Sequence, residues 1–137
     1  MWLMTPIGFF SIVKKAYDRH DGTLTVRARV EGDLTALKSR YLPELGQIQA
    51  DQGTDYRYRA TAPREAVARA LSQLTLNLDY SNFKDEVSRV QGYERARVYG
   101  EVWNCLYRLQ EKKIKQTPKI QTLSKKTHHD NNRRDTE

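Results

Sequence analysis

Hydrophobic and polar residues alternate most regularly near the start of the chain, where the pattern predicts a β-hairpin. In residues 23–30 every second side chain is apolar, which is the period of a half-buried strand. The preceding run, residues 8–13, is apolar on both faces, and the polar segment 18–22 ends in an Asp-Gly pair that suits a turn. The face of the second strand that we predict to be buried consists of Leu24, Val26, Ala28 and Val30.

Beyond the hairpin, the pattern predicts a short helix and two further extended segments. Asp33 is placed to cap a helix that ends by Leu42, because a residue before proline disfavours the α conformation. Residues 47–50 and 56–60 are the extended segments. The second alternates, with Tyr56, Tyr58 and Ala60 on one side and Arg57 and Arg59 on the other.

Helical spacing dominates the second half of the chain. Pro63 suits the first position of a helix, and a further helix begins at Ser81 or Asn82 and ends at Gly92. The first of these helices carries the apolar stripe Val67, Leu71, Leu74 and Leu78. The last helix carries Val98, Val102, Cys105 and Leu109 on one stripe, with Tyr99, Trp103 and Leu106 beside it.

Together these elements predict an α+β fold. We expect a small antiparallel sheet, built from the N-terminal hairpin plus one or two further strands and covered on one face by helices, in a distantly ferredoxin-like arrangement. Residues 1–110 form the predicted single globular domain. Residues 111–137 lose the apolar pattern and predict a basic, disordered tail.

Composition narrows the class of protein. The chain of 137 residues has a formal charge of +7, of which the last 27 residues, 111–137, contribute +4. Its one cysteine, Cys105, excludes an internal disulfide and fits a reducing compartment, and its place on the helical stripe predicts a buried side chain. The N-terminal apolar run is too short for a membrane span, so we expect a cytoplasmic protein with no membrane partner.

The arginines of the predicted strands are the strongest candidates for a binding role. If the apolar faces point to the core, Arg27, Arg29, Arg57 and Arg59 form a basic plate that can contact phosphates. Lys14 and Lys15 lie at the end of the neighbouring strand. In the opposite register, Tyr56 and Tyr58 are exposed platforms for stacking bases. The alternative is that all of these are ordinary solvated strand residues.

As a whole, the chain resembles a family of small bacterial proteins of uncharacterised function. The resemblance rests on segments 2–13, 41–46 and 79–84 and on the pair Val102-Trp103. It covers about residues 1–110 and implies a bacterial cytoplasmic domain, without implying an activity.

These observations favour a non-enzymatic module that binds DNA or RNA. The alternative is a protein-interaction module, homodimeric through Tyr99, Trp103 and Leu106 on the last helix. Asp79, Asp85 and Glu86 could hold a divalent ion for nuclease chemistry, but nothing in their spacing indicates one. The sequence therefore gives no support for an enzyme, and we predict neither a cofactor nor a metal site.

Overall fold

The computed structural model describes residues 1–15, 22–51 and 53–111, which form a five-stranded antiparallel sheet and four helices. This arrangement confirms the predicted α+β class. The predicted tail beyond Glu111 and most of the predicted turn at 18–22 lie outside the described residues. In chain order the elements are β1 (Trp2–Thr5), β2 (Gly8–Val13), β3 (Thr23–Ala28), α1 (Glu31–Arg40), β4 (Gln49–Ala50), β5 (Tyr58–Pro63), α2 (Arg64–Leu76), α3 (Phe83–Gln91) and α4 (Tyr93–Glu111).

The sheet has the strand order β1-β2-β3-β5-β4, with the predicted hairpin β2–β3 near its centre. The sequence pattern predicts only a lead-in to the first strand over residues 1–5, but Trp2–Thr5 form strand β1, which pairs along the outer edge of β2. The turn between β1 and β2 is held by the hydroxyl of Thr5, which donates to the carbonyl of Gly8 and accepts from the amides of Ile7 and Gly8. The lead-in segment is therefore an edge strand of the sheet.

Several predicted boundaries shift by a few residues. Strand β3 ends at Ala28, and Val30 is the exposed N-cap of α1, so Val30 does not belong to the buried face. Helix α1 begins at Glu31 without a side-chain cap, because its N-cap residue Val30 has no hydrogen-bond acceptor in its side chain; Asp33, the predicted cap, lies inside the helix. Helix α2 begins at Arg64, with Pro63 as its N-cap rather than its first residue.

The main core lies between one face of the sheet, which we call the first face, and helices α1 and α2. The side chains that fill it are apolar, so hydrophobic burial stabilises this layer. Its most deeply buried members are Phe10, Val26, Ala28, Leu34 and Leu42.

A buried ion pair joins three elements at the edge of this core. Asp33 of α1 accepts two hydrogen bonds from the guanidinium of Arg95 in α4, at 2.9 and 3.1 Å, and a third from the amide of Phe9 in β2. Burial alone would lower the pKa of Arg95, but the hydrogen bonds to Asp33 and Tyr99 outweigh it and raise that pKa. The pair fixes the orientation of α4 relative to the sheet.

Helices α3 and α4 form a hairpin against the β1–β2 end of the sheet. Asn82 caps α3 by accepting from the amides of Lys84 and Asp85, and Gly92, at φ 90°, separates the two helices. Both boundaries follow the prediction. No helix in the described ranges is long and apolar enough to cross a bilayer.

The apolar stripe of α4, which the spacing predicts either to cover the sheet or to form a dimer seam, does not cover the sheet. Val98 and Leu109 are exposed, and so is Cys105, which is therefore not the buried residue that the pattern predicted. The residues that α4 buries are Ala96 and Tyr99, which pack with Val87 of α3. The sequence pattern could not reveal this, because α3 is too short to cover the second half of α4.

Candidate phosphate-binding surface

The face of the sheet opposite the main core, which we call the second face, carries a row of polar side chains. Because side chains alternate along a strand, Ser11, Arg27 and Arg59 all point away from α1 and α2. The strand register places these three residues side by side across β2, β3 and β5. The prediction that arginines of neighbouring strands share one face is confirmed for Arg27 and Arg59.

Tyr56 lies at the centre of this arginine row. It precedes β5, is only 2% exposed, and stacks on Phe9 with ring centroids 6.4 Å apart. The guanidinium carbon of Arg27 lies 4.4 Å from the centroid of the Tyr56 ring, and that of Arg29 lies 5.1 Å from it. Both distances are within the range of cation–π attraction. We call Arg27, Arg29, Tyr56 and Arg59 the arginine–tyrosine cluster.

The two tyrosines do not share a face, contrary to the prediction. Tyr58 lies opposite Ala28 and packs at the margin of the main core, whereas Tyr56 lies with Arg27 on the second face. Strand β5 begins only at Tyr58, so the two-residue period does not extend to Tyr56. The burial of Tyr56 also rules out its predicted use as an exposed stacking platform.

The remaining predicted cations lie outside the cluster. Arg57 is exposed and its guanidinium lies 5.7 Å from the ring of Tyr58. Lys14 and Lys15 follow the end of β2, about 10 Å or more along the strand from Ser11, and both take part in interactions there. The structure therefore brings together three of the four predicted arginines and leaves the lysines at the periphery.

The charge of the cluster is only partly compensated. Arg59 forms an ion pair with Asp51 at 3.2 Å, and its guanidinium also donates to the hydroxyl of Thr54. Arg27 donates to the hydroxyl of Ser11 at 2.7 Å. Among the residues that the structure describes, no carboxylate lies within ion-pair distance of Arg27 or Arg29. Two guanidinium groups therefore approach one ring without a countercharge from the described chain.

Three buried polar atoms in this cluster have no hydrogen-bond partner in the described parts of the chain. They are the hydroxyl of Tyr56, Nε of Arg27 and Nε of Arg59. A buried polar group without a partner costs about 1–3 kcal/mol, so such groups are uncommon in folded proteins. All three can donate a hydrogen bond, and all three belong to a cluster with an excess of positive charge. An anion with several oxygen acceptors would compensate this charge, and it would reach the three buried donors only after neighbouring side chains move.

A polar groove of about 380 Å³ adjoins the cluster on the β4 side. Its walls carry side-chain hydroxyls and amides, and Arg59 and Asp51 stand at its border with the cluster. Sequence reasoning missed these neutral groups, because a lone Thr or Gln carries no signal of its own. The neutral polar residues of the groove are Thr25, Thr61, Gln47 and Gln49.

Of the three acidic residues considered for a metal site, Asp79, Asp85 and Glu86, the last has a structural partner. Glu86 forms an ion pair with Arg89, and the hydrogen bond from that guanidinium is the main reason why the pKa of Glu86 lies below its ordinary value. Asp85 lies in the first turn of α3, whose amides Asn82 caps. Within the described ranges, the side chains form no group of three or more potential metal ligands.

The three residues predicted as an interface are split between two environments. Tyr99 is buried and stacks on Phe83, with centroids 5.9 Å apart, and burial raises the pKa of its hydroxyl. Trp103 and Leu106, by contrast, are 62% and 59% exposed. Tyr99 therefore belongs to the α3–α4 contact, and only the other two remain available to a partner.

Comparison of the chain with protein-family models, with curated proteins and with solved structures found no match.

Proposed function

We propose that this protein is a non-enzymatic nucleic-acid-binding module that contacts phosphate groups through its arginine–tyrosine cluster. The observation that carries the proposal is the pair Arg27 and Arg29, whose guanidinium groups both approach the Tyr56 ring without a carboxylate partner in the described chain. Guanidinium groups match phosphate oxygens in geometry as well as in charge.

Each member of the cluster has a separate role in this proposal. Arg29, which is exposed, makes the first contact with a phosphate. Arg27 is held by Ser11 and offers its terminal N–H groups. The hydroxyl of Tyr56 is buried in the unliganded fold and donates to the phosphate once the side chains around it move aside. Arg59 is anchored by Asp51 and lines the adjoining groove.

Phosphate contacts of this kind position a nucleic acid without reading its sequence. The buried ring of Tyr56 offers no free face to a base, so the cluster itself is not expected to stack bases. We therefore expect binding that depends strongly on salt and weakly on base sequence. The eight basic residues of segment 111–137 add a sequence-independent attraction.

The proposal is tested by fluorescence anisotropy of labelled DNA and RNA oligonucleotides with the full-length protein, across a salt series. Arg29→Glu should weaken binding by about tenfold or more, because a hydrogen bond to a charged group contributes about 1.5–3 kcal/mol. The matched control is Arg64→Glu, which makes the same charge reversal at an exposed position at the far end of β5. Equal affinity of the two variants would exclude the cluster as the binding site.

A second comparison separates the folded domain from the C-terminal segment. A chain that ends at Glu111 keeps all of α4 and loses the last 26 residues. We expect it to bind more weakly than the full chain while keeping the difference between Arg29→Glu and Arg64→Glu. Complete loss of binding on truncation would assign the affinity to the C-terminal segment instead.

A further inference from the structure

The second half of α4 extends beyond everything else in the described fold. Phe83, the first residue of α3, stacks on Tyr99, so α4 runs back along α3 and passes its start at that point. Residues 100–111 continue α4 for about 18 Å beyond this contact. A helix that leaves its packing partner normally becomes polar, and this one does not.

The projecting part of α4 carries an apolar surface that belongs to the same stripe as the buried part. Tyr99, Val102, Leu106 and Leu109 follow one another at spacings of three, four and three residues, as in a helix–helix seam. Tyr99 is 5% exposed, but Leu106 is 59% and Leu109 69% exposed. Trp103 and Tyr107, with ring centroids 5.3 Å apart, widen the surface on one side. We call Val102, Trp103, Leu106, Tyr107 and Leu109 the distal stripe.

The distal stripe can meet a copy of itself without an electrostatic penalty. None of its members is charged, and Glu101 and Arg108 lie about 140–160° around the helix from Leu106. An isologous contact brings identical patches together, so a charged stripe would place like charges opposite each other. An uncharged stripe avoids this repulsion.

The apolar area of the distal stripe matches a small dimer interface. An aromatic side chain buries roughly 150–250 Å², so Trp103 and Tyr107 at their present exposures leave roughly 160–260 Å² to be covered. With Leu106 and Leu109, each copy offers roughly 400–500 Å², and two copies offer about 800–1,000 Å², the size of a weak, reversible interface. A single small ligand could not cover the convex flank of a helix of this length.

We propose that the distal stripe of α4 is the interface with a second copy of this chain. The two α4 helices pack antiparallel around a two-fold axis near Leu106, which places Trp103 of each copy against the outer turns of the other helix. This homodimer does not depend on the phosphate-binding proposal, since the two surfaces share no residue.

Sedimentation equilibrium of the full-length protein over a wide concentration range tests the proposal. We expect a monomer–dimer equilibrium that Leu106→Glu weakens by about thirtyfold or more, as for a residue at the centre of an interface. Arg108→Glu, on the opposite side of the same helix, is the matched control and should leave the equilibrium unchanged. A protein that stays monomeric at high micromolar concentration, or a dimer that Leu106→Glu does not weaken, would overturn the proposal.

A disulfide across the two-fold axis gives an independent test of the geometry. In full-length protein that carries Cys105→Ser and Leu106→Cys, the two introduced thiols should oxidise rapidly to a covalent dimer, because a central residue faces its own copy. The control pairs Cys105→Ser with Arg108→Cys, and its thiols should oxidise slowly. Equal rates for the two proteins would contradict the antiparallel arrangement.

Discussion

The two faces of the central sheet use the same strands for opposite purposes. On the first face Phe10, Val26 and Ala28 are sealed under α1 and α2, and every contact removes apolar surface from water. On the second face Ser11, Arg27 and Arg59 stand on the same strands, together with charge that the described chain compensates only in part. The first face is apolar throughout its core, whereas the second combines an apolar contact of Met4 and Phe9 with α3 and α4 with buried polar atoms that have no partner in the described chain.

Because the first face is sealed and parts of the second are exposed, replacing an aromatic residue by alanine should destabilise the fold more on the first face than on the second. Phe10 is fully buried in the first face, so Phe10→Ala removes its transfer free energy and leaves a cavity. We expect the free energy of unfolding in urea to fall by about 3–5 kcal/mol. The control is Trp2→Ala in β1, whose side chain lies on the second face and is 72% exposed. A similar loss for both variants would contradict the contrast between the faces.

Asp33 joins the covered layer to α4, and removing its charge should have the next largest effect. Asp33→Asn leaves the Arg95 guanidinium, which is one-fifth exposed, without its countercharge. We expect a loss of about 3 kcal/mol in unfolding free energy, the lower end for a broken buried pair. Glu44→Gln breaks the exposed pair with Arg69 and should change stability far less in the same assay, because solvent screens that pair.

Gly8 shows how closely α1 approaches the sheet on the covered side. A Cβ at this position would lie 2.7 Å from Cβ of Asp33 and 2.7 Å from the ring of Phe10, so Gly8→Ala forces these groups apart. We expect thermal denaturation to report a loss of about 1–3 kcal/mol.

Gly100 provides the matched control for this substitution. It lies inside α4, where an added Cβ would meet no other side chain within 4 Å, so Gly100→Ala should raise stability by up to about 1 kcal/mol through its helix propensity. Destabilisation of both variants to the same degree would argue against the tight contact at Gly8.

The smallest change in stability is expected for Tyr56→Phe, which tests whether the second face of the sheet contains an unpaired polar group. Tyr56→Phe removes a buried hydroxyl that has no partner in the described chain. Unfolding in urea should therefore show unchanged or slightly higher stability, by up to about 1 kcal/mol, since the unpaired group costs free energy in the unliganded fold. The affinity for oligonucleotides should fall in the same variant. A clear loss of stability would show that the hydroxyl has a partner within the protein.

The first face could be predicted from the sequence because burial selects residues at a regular period. The central strand was predicted from the alternation of Leu24, Val26 and Ala28. The boundaries of α3 were predicted from Asn82 and Gly92, and the α+β class from the order of the elements. Each of these rests on local rules of spacing, capping or backbone conformation.

The second face could be predicted only in part, because its organisation depends on contacts between distant segments. The shared face of Arg27 and Arg59 followed from alternation, but the position of Tyr56 depends on a loop in which the two-residue period of the strand is lost. The exposure of Cys105 and Leu109 in α4 likewise depends on how much of α4 the shorter helix α3 covers. The periodicity of α4 alone contains no information about the length of its neighbour.

The most direct test of the phosphate-binding surface is an NMR titration of the full-length, ¹⁵N-labelled protein with an oligonucleotide, observed at the arginine Nε–H signals. We predict that the signals of Arg27 and Arg29 shift together as the ligand is added, and that the signals of Arg69 and Arg97, which are paired with glutamates elsewhere, stay in place. Saturable binding that leaves Arg27 and Arg29 unshifted would contradict the account.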